Sequence, residues 1–258
     1  MRFTDVVIPA YAAWSSPFVR WQGPAAEISG LDLAEQVTRD ALARAGVAWQ
    51  VEQLVLGLTV PQRQSFYGAP TLAARLGLGE VSGPMVMQAC ATSVASLHIG
   101  ACGVAGGGGT QLVVTTDRTS NAPLVVYPGA RRPGGAPETE EWQLDNFACD
   151  PVTSESMLAT AERVARQGAF DKGELDELAA RRYEQYLDAL SAERAFQREW
   201  MIPIRAGSSR HPTLIEEDWG VRPVQLDELR RLAPVIDGGV LSYGTQTHPA
   251  DGSAGVVL

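Results

Sequence analysis

Between Val86 and Asp117 the chain reads VMQACATSVASLHIGACGVAGGGGTQLVVTTD. No other run limits the fold so much. Its last part, Gln111–Thr116 (QLVVTT), is an apolar strand of the kind buried on both faces of a parallel sheet. The spacing before it predicts a helix over Ala91 to about Ala105, with Val94, Leu97, Ala101 and Val104 or Ala105 facing inward. The glycines Gly106 to Gly109 end that helix. A strand at Gly83–Gln88 leads into it. Strand, helix, glycine turn and strand in this order indicate a right-handed α/β layered core.

The flanking sequence extends this pattern. Asp5–Ala10 (DVVIPA) reads as a first strand, and Tyr11–Gly30 as an irregular connection rich in Pro, Gly and Trp. Leu31–Ala45 reads as a helix with Leu33, Val37, Ala41 and Ala45 on one face, stopped by Gly46. A strand centred on LVLGL follows within Val51–Val60, then a short helix at Ala69–Leu76. After Asn121 the texture changes. Gly129–Pro137 (GARRPGGAP) is a loop, and Ser154–Gly168 and Asp171–Ala192 are two helices. Asp171 and Glu174 form a capping box at the start of the second, whose stripe is Leu175, Ala179, Tyr183, Leu187 and Leu190. A strand is expected near Trp200–Arg205, and returns to the sheet at Val235–Leu241 and Gly255–Leu258. The reading is a core of residues 1–120 and 235–258, interrupted by a mostly helical loop lobe over 121–234.

Composition removes several function classes. The net charge of -9 on 258 residues, with no basic stripe, argues against nucleic-acid binding. Three cysteines (Cys90, Cys102, Cys149) with no repeated spacing give no disulfide framework, and the histidines (His98, His211, His248) do not cluster with them, so no metal site is expected. Met1–Ala13 is interrupted by Asp5 and reads as a strand rather than a signal peptide. Ala89–Gly109 is too polar for a membrane span. A cytoplasmic protein without membrane or nucleic-acid partners is the expectation. The run Gly106–Gly109 ends a helix and has no Lys-Ser or Lys-Thr after it, so it is not a phosphate loop.

Cys90 falls between a strand end and a helix start. There the first backbone N–H groups lack internal partners and, with the helix dipole, favour an anion such as a thiolate. A thiolate is the nucleophile of acyl transfer, and the small residues Ala91, Thr92 and Ser93 leave room for a substrate. Taken by position alone, a buried structural thiol is the competing reading. The wider sequence resembles the thiolase and ketosynthase superfamily. QACATSVASL looks like its nucleophile elbow. Asp117–Pro123 (DRTSNAP) resembles the thiolase segment ending in SNAP. Met157–Ala165 (MLATAERVA) resembles M-G-x-T-A-E-x-V-A, and Ala250–Leu258 (ADGSAGVVL) resembles N-D-G-A-A-A-x-x-L.

The resemblance implies a thiolase-like N-terminal half: a mixed five-stranded sheet with helices, carrying an inserted, mostly helical lobe. It implies that Cys90 takes an acyl group from one coenzyme A thioester and passes it to the α-carbon of a second, or runs the reverse thiolysis. No permanently bound cofactor is implied. Arg222 matches a nucleotide-contacting Arg. Tyr243 and Thr247 fall on the loop lining the pantetheine channel, and Met157 on the lobe over the acyl pocket. Thr247 stands for the usual Ser and keeps its hydroxyl, whereas Tyr243 replaces a small residue. The family's asparagine element, its G-H-P histidine and its C-x-G cysteine have no match here. His248-Pro249 falls instead in the coenzyme loop, His98 reads as a packed or interface residue, and His211 as a loop residue. Cys102 reads as core or interface packing.

The missing base and oxyanion groups lead to the expectation of a partner carrying the second thiolase half, with its catalytic His and second Cys. The expected assembly is a hetero-oligomer such as α2β2, with an additional small subunit left open. Two competing readings are a non-catalytic scaffold subunit and a related, ketosynthase-like Claisen synthase with another acyl acceptor.

Overall fold

A computed structural model describes residues 3–129, 133–208 and 210–258. In chain order, β1 (Ala13–Ser15) and β2 (Val19–Arg20) precede α1 (Gly30–Ala45), β3 (Val51–Gly57) and α2 (Gly68–Leu76). Next come β4 (Met85–Val86), α3 (Thr92–Ala105) and β5 (Thr110–Asp117). A hairpin follows, β6 (Leu124–Tyr127) and β7 (Glu138–Glu141), then α4 (Leu144–Ala148), α5 (Met157–Gln167), α6 (Lys172–Ala189) and α7 (Ser191–Trp200). A second hairpin, β8 (Ile204–Ser208) and β9 (His211–Ile215), precedes α8 (Leu226–Arg231) and the closing strand β10 (Ala250–Val257). The chain divides into two compact units. The first holds residues 1–122, 198–220 and 249–258, and the second holds 123–197 and 221–248. Segment 198–220, expected within the inserted lobe, therefore clusters with the sheet.

The sheet of the first unit runs β1-β10-β5-β3-β4, with β2 also paired to β10. β3, β4 and β5 are parallel, and β10 is antiparallel to β5, to β1 and to β2. Leu54, Val55 and Leu56 are buried, as are Leu112, Val113 and Val114. Such strands need cover on both faces. Alternation sends Leu54, Leu56, Leu112 and Val114 to one core with Leu31, Leu33, Ala34, Val37 and Ala41 of α1. It sends Val55 and Val113 to the other, with Val86, Ala101 and Leu258. α1 begins at Ser29, whose side chain accepts from the Asp32 N–H, and ends at Gly46, whose φ of 65° suits a glycine C-cap.

The second unit is built around α5, α6 and α8. The Asp171–Glu174 capping box opens α6 as expected. Lys172 joins α6 to α8 by donating to Asp176 at 2.6 Å and to the Leu229 carbonyl at 2.8 Å. Leu187, expected in the α6 stripe, is exposed.

Several expected elements differ. Asp5–Ala10 is not a strand: Pro9 has no N–H to give a ladder and Tyr11 has a φ of 63°. Its place is taken by β1, which pairs with β10 (Ala13 opposite Val256), so Tyr11–Gly30 is not wholly irregular. The strand at Gly83–Gln88 shortens to Met85–Val86. Val235–Leu241 forms a tight loop rather than a strand, closed by the Val235 N–H to the Leu241 carbonyl at 2.8 Å. The strand near Trp200–Arg205 begins later, at Ile204, and forms a hairpin with β9. His211, expected in a loop, opens that second strand. Of the loop at 129–137, residues 130–132 lie outside the described residues. Among the described residues no helix is long and apolar enough to cross a membrane.

The largest difference lies on α3. Its buried residues are Thr92, Ser96, Gly100 and Ala101, while Val94 is 70% and Leu97 38% exposed. The sheet selects the small face because only small residues allow the helix to come so close. A Cβ on Gly57 of β3 would lie 2.5 Å from Ser96 Oγ and 2.9 Å from Thr92 Cγ2. A Cβ on Gly100 would lie 2.6 Å from Val113 Cγ2. Apolar periodicity alone misplaces Val94 and Leu97, whereas Ala101 is buried as expected and Val104 packs partly buried against the second core.

Candidate active site

The parallel strands β3, β4 and β5 all end at one edge of the sheet. Gly57 is in register with Val86 on one side and with Thr115 on the other. The loops leaving these strand ends are therefore neighbours, and the carboxyl edge of a parallel sheet is where α/β proteins build sites. Cys90 lies on the segment leaving the edge strand β4, between β4 and α3.

The turn that presents Cys90 is tightly specified. Residues Ala89–Ala91 form one turn of 3-10 helix. Ala89, just before the cysteine, has a φ of 43°, a left-handed conformation that costs a residue with a Cβ about 1–2 kcal/mol. Thr92 holds the turn from beneath. Its Oγ1 accepts the Gln88 N–H at 2.8 Å and donates to the Ala89 carbonyl at 2.8 Å. Ser96, one turn further on, donates to the Thr92 carbonyl at 2.8 Å. Thr92 and Ser96 are buried, and Cys90 is exposed. The helix behind it has Ala91 at its N-cap, which offers no capping side chain, so its positive end faces the turn without a side-chain acceptor. The arrangement is a reachable sulfur on a strained turn at a helix start. It is not a thiol sealed in hydrocarbon, the competing reading of its position.

Two carboxylates, one half-buried and one fully buried, organise the surrounding loops. Asp117, at the end of β5, accepts the Thr59 and Val60 N–H groups at 2.8 and 3.0 Å and the Thr59 hydroxyl at 2.5 Å. Burial pushes its carboxyl above the ordinary value, the hydrogen bonds from Thr59 and Val60 act against this, and the charge of Asp251 adds to it. Asp251 is fully buried on β10 and accepts the Ser120 N–H at 3.0 Å and the Ser120 hydroxyl. Ser120 Oγ in turn accepts the Gln22 N–H at 2.8 Å. Arg118 is 1% exposed and donates to the Ala26 carbonyl; burial lowers its pKa, against the pull of Asp251 and Asp32. These residues were not singled out from the sequence. The available signal was a charge closing an apolar run, in QLVVTTD and in ADGSAGVVL.

The remaining candidate residues lie on other elements. Met157, Arg222, Tyr243 and Thr247 all belong to the second unit and are exposed. Met157 is the first residue of α5, Tyr243 begins a 3-10 turn (Tyr243–Thr245), and Thr247 donates to the His248 carbonyl at 3.3 Å. His98 lies 3.7 Å from Cys102 on α3 and 5.6 Å, ring to ring, from Phe3. Among the described residues no three His, Cys, Asp or Glu side chains group as metal ligands. A shallow depression lined by Tyr11, Arg44, Ala45, Arg198 and Glu199 shares no residue with the turn of Cys90.

The family profile described as "Thiolase, N-terminal domain" matches residues 6–258. The chain belongs to the thiolase family. Thiolase-fold structures superpose closely on it. An acetyl-CoA acetyltransferase from Bacillus anthracis gives a TM-score of 0.86 at 24% identity, covering 99% of this chain and 66% of that one. Human mitochondrial 3-ketoacyl-CoA thiolase in complex with CoA gives 0.85 at 22% identity, covering 96% and 63%. At these identities the likeness establishes the fold, the mixed α/β thiolase sheet with its helices. Acetyl-CoA acetyltransferase IB of Candida tropicalis is 24% identical over 252 residues, covering 94% of this chain and 62% of that protein. Acetyl-CoA acetyltransferase IA of the same organism is 23% identical over the same span. This thiolase chain thus spans 62% of the length of the curated relatives it matches.

Proposed function

We propose that this thiolase chain is the nucleophile-bearing half of an acyl-CoA C-acyltransferase. The observation that carries the reading is Cys90, exposed on a strained turn at the carboxyl edge of the sheet, in a chain whose curated relatives are acetyl-CoA acetyltransferases. The Cys90 thiolate attacks the thioester carbonyl of an acyl-CoA, the carbonyl–sulfur bond of the substrate breaks, and coenzyme A leaves as the thiol. The α-carbon of a second acyl-CoA, after losing a proton to a base, attacks the Cys90 thioester and releases the cysteine. The product is a 3-oxoacyl-CoA, and the reverse sequence is thiolysis. Arg222, Tyr243 and Thr247 hold the coenzyme in this reading, and Met157 lines the acyl pocket. Coenzyme A thioesters are substrates here, not a resident cofactor.

The base, the second acid and the remaining oxyanion donors come from a second thiolase half, which we assign to a partner chain in a hetero-oligomer such as α2β2. The outer face of α3 supports this. Val94 and Leu97 stand exposed on the helix that follows the nucleophile, where an apolar partner surface would remove them from water. The test is Cys90→Ser in the complex assembled with its second half. The reading expects acyl transfer to fall by at least about a thousand-fold, as when the nucleophile of a covalent mechanism is lost. Unchanged activity would make this chain a scaffold. A condensation product from an acceptor other than acyl-CoA would move it to a ketosynthase-like reaction.

A further inference from the structure

The segment from Leu232 to His248 in the second unit has little regular structure, yet it carries Tyr243 and Thr247. Two of its ties are internal. The Val235 N–H donates to the Leu241 carbonyl at 2.8 Å, and Pro234 bridges to Ser242. Ser242, fully buried, closes the 3-10 turn: its Oγ accepts the Gly244 N–H at 3.2 Å, and Thr245 Oγ1 accepts the Ser242 N–H at 3.0 Å. The third tie comes from another element. Glu162 of α5 is 2% exposed, and its carboxylate accepts the Val240 N–H on both oxygens at 3.0 Å and the Leu241 N–H at 2.9 Å. Gly239 permits the approach, because a Cβ there would lie 2.4 Å from Glu162 Oε1.

A carboxylate is costly to bury, and hydrocarbon of the same size would pack an interior more cheaply. What hydrocarbon cannot do is accept N–H groups that a loop without strand pairing leaves unmade. Glu162 does this from the helix whose first residue is Met157, between one and two turns further along. Val240 and Leu241 lie immediately before the turn that presents Tyr243. The carboxylate therefore links the element carrying the acyl-side residue to the loop carrying two coenzyme-side residues.

We propose that Glu162 is a positioning residue that fixes the spacing between the start of α5 and the Tyr243–Thr247 loop, so that both contact one thioester substrate together. This rests on the reading of Met157, Tyr243 and Thr247 as substrate-contacting. Glu162 touches no substrate atom in this role. Its loss raises the dissociation constant and KM for coenzyme A thioesters and leaves the intrinsic reactivity of Cys90 unchanged.

The experiment uses the full chain and its Glu162→Ala, Glu162→Gln and Gly239→Ala variants. Amide hydrogen exchange of peptides spanning 239–247 is read against peptides from α5 and α6, and coenzyme A binding is measured by calorimetry. In Glu162→Ala the loop amides should exchange about ten-fold faster or more, the loss expected for a charge-assisted hydrogen bond, with α5 and α6 protected as before. Coenzyme A affinity should fall by a similar factor. Glu162→Gln keeps one acceptor oxygen and should lie between wild type and Glu162→Ala; it carries the test if Glu162→Ala fails to fold. Gly239→Ala should reproduce the loop release by displacing the carboxylate. Loop exchange equal to wild type overturns the proposal, and so does a freed loop with unchanged coenzyme affinity. If wild type binds no coenzyme A while the loop is released in the variants, the coenzyme reading fails and the structural tie from Glu162 stands.

Discussion

α1 lies on β5 and β10, and α3 lies on β3 and β5 from the other side. α1 turns Leu31, Leu33, Ala34, Val37 and Ala41 into the sheet, whereas α3 turns in Thr92, Ser96, Gly100 and Ala101. The first contact is a hydrocarbon core and holds the unit together. The second is a close approach of backbones through small and hydroxyl-bearing residues, with Ile99 and Val104 packed only partly buried beside it. What α3 gains is precision at its start, where Thr92 and Ser96 brace the turn of Cys90. The apolar residues it does not need against the sheet, Val94 and Leu97, remain on its outer side. The larger hydrocarbon core lies on one face of this sheet, and the helix that braces the turn of Cys90 lies on the other.

That contrast breaks most easily through truncation. Leu33→Ala on α1 should cost about 2–5 kcal/mol of unfolding free energy, the range for emptying a packed core position. Leu97→Ala on α3 should stay within about 0.5 kcal/mol in the isolated chain, as at other exposed sites. Urea unfolding of both variants checks the pair. Equal losses would mean that the outer face of α3 is packed in the chain by itself.

A smaller effect sharpens the same contrast through pH. By strand alternation Asp117 shares the α3 side of β5 with Val113 and Thr115, so a carboxylate closes this face. Its folded pKa is raised, chiefly by burial. The folded state therefore holds the proton more tightly than the unfolded chain. The stability this contributes is complete below the ordinary carboxylate range and is lost as pH rises through the folded value. Unfolding free energy of wild type minus that of Asp117→Asn should thus decline as pH is raised from below 3.8 toward neutrality. A difference that grows with pH would reverse the assignment.

The sequence made the crossover from β4 to β5 legible because a glycine run and an unbroken apolar strand leave few alternatives. The place of Cys90, where a strand gives way to a helix, was legible too; its exposure was not, since position alone left a buried thiol open. The inward face of α3 was not legible as a whole, although Ala101 and Val104 turn inward as expected. TSVASLHIGACGVA has apolar side chains at one phase and small ones at another, and only Gly57 on a different strand decides between them. Nor were the ties made by Asp117, Asp251 and Glu162. Each is a lone acid in a motif, and its partners include backbone N–H groups that no residue letter marks. The loop at Val235–Leu241 reads as a strand only through the apolar pairs at its two ends, Val235-Ile236 and Val240-Leu241. In the fold the Val240 and Leu241 N–H groups go to Glu162 instead of a neighbouring strand.

If the turn makes Cys90 the reactive sulfur of this chain, a competition among its own cysteines will reveal it. Cys90 and Cys149 are both exposed, so access alone does not separate them. Iodoacetamide labelling followed by peptide mass spectrometry, with and without acetyl-CoA, gives a rate for each. The account predicts that Cys90 is alkylated about ten-fold faster than Cys149 or more, and that acetyl-CoA slows Cys90 alone. Equal rates at the two cysteines, with no protection by acetyl-CoA, would contradict it.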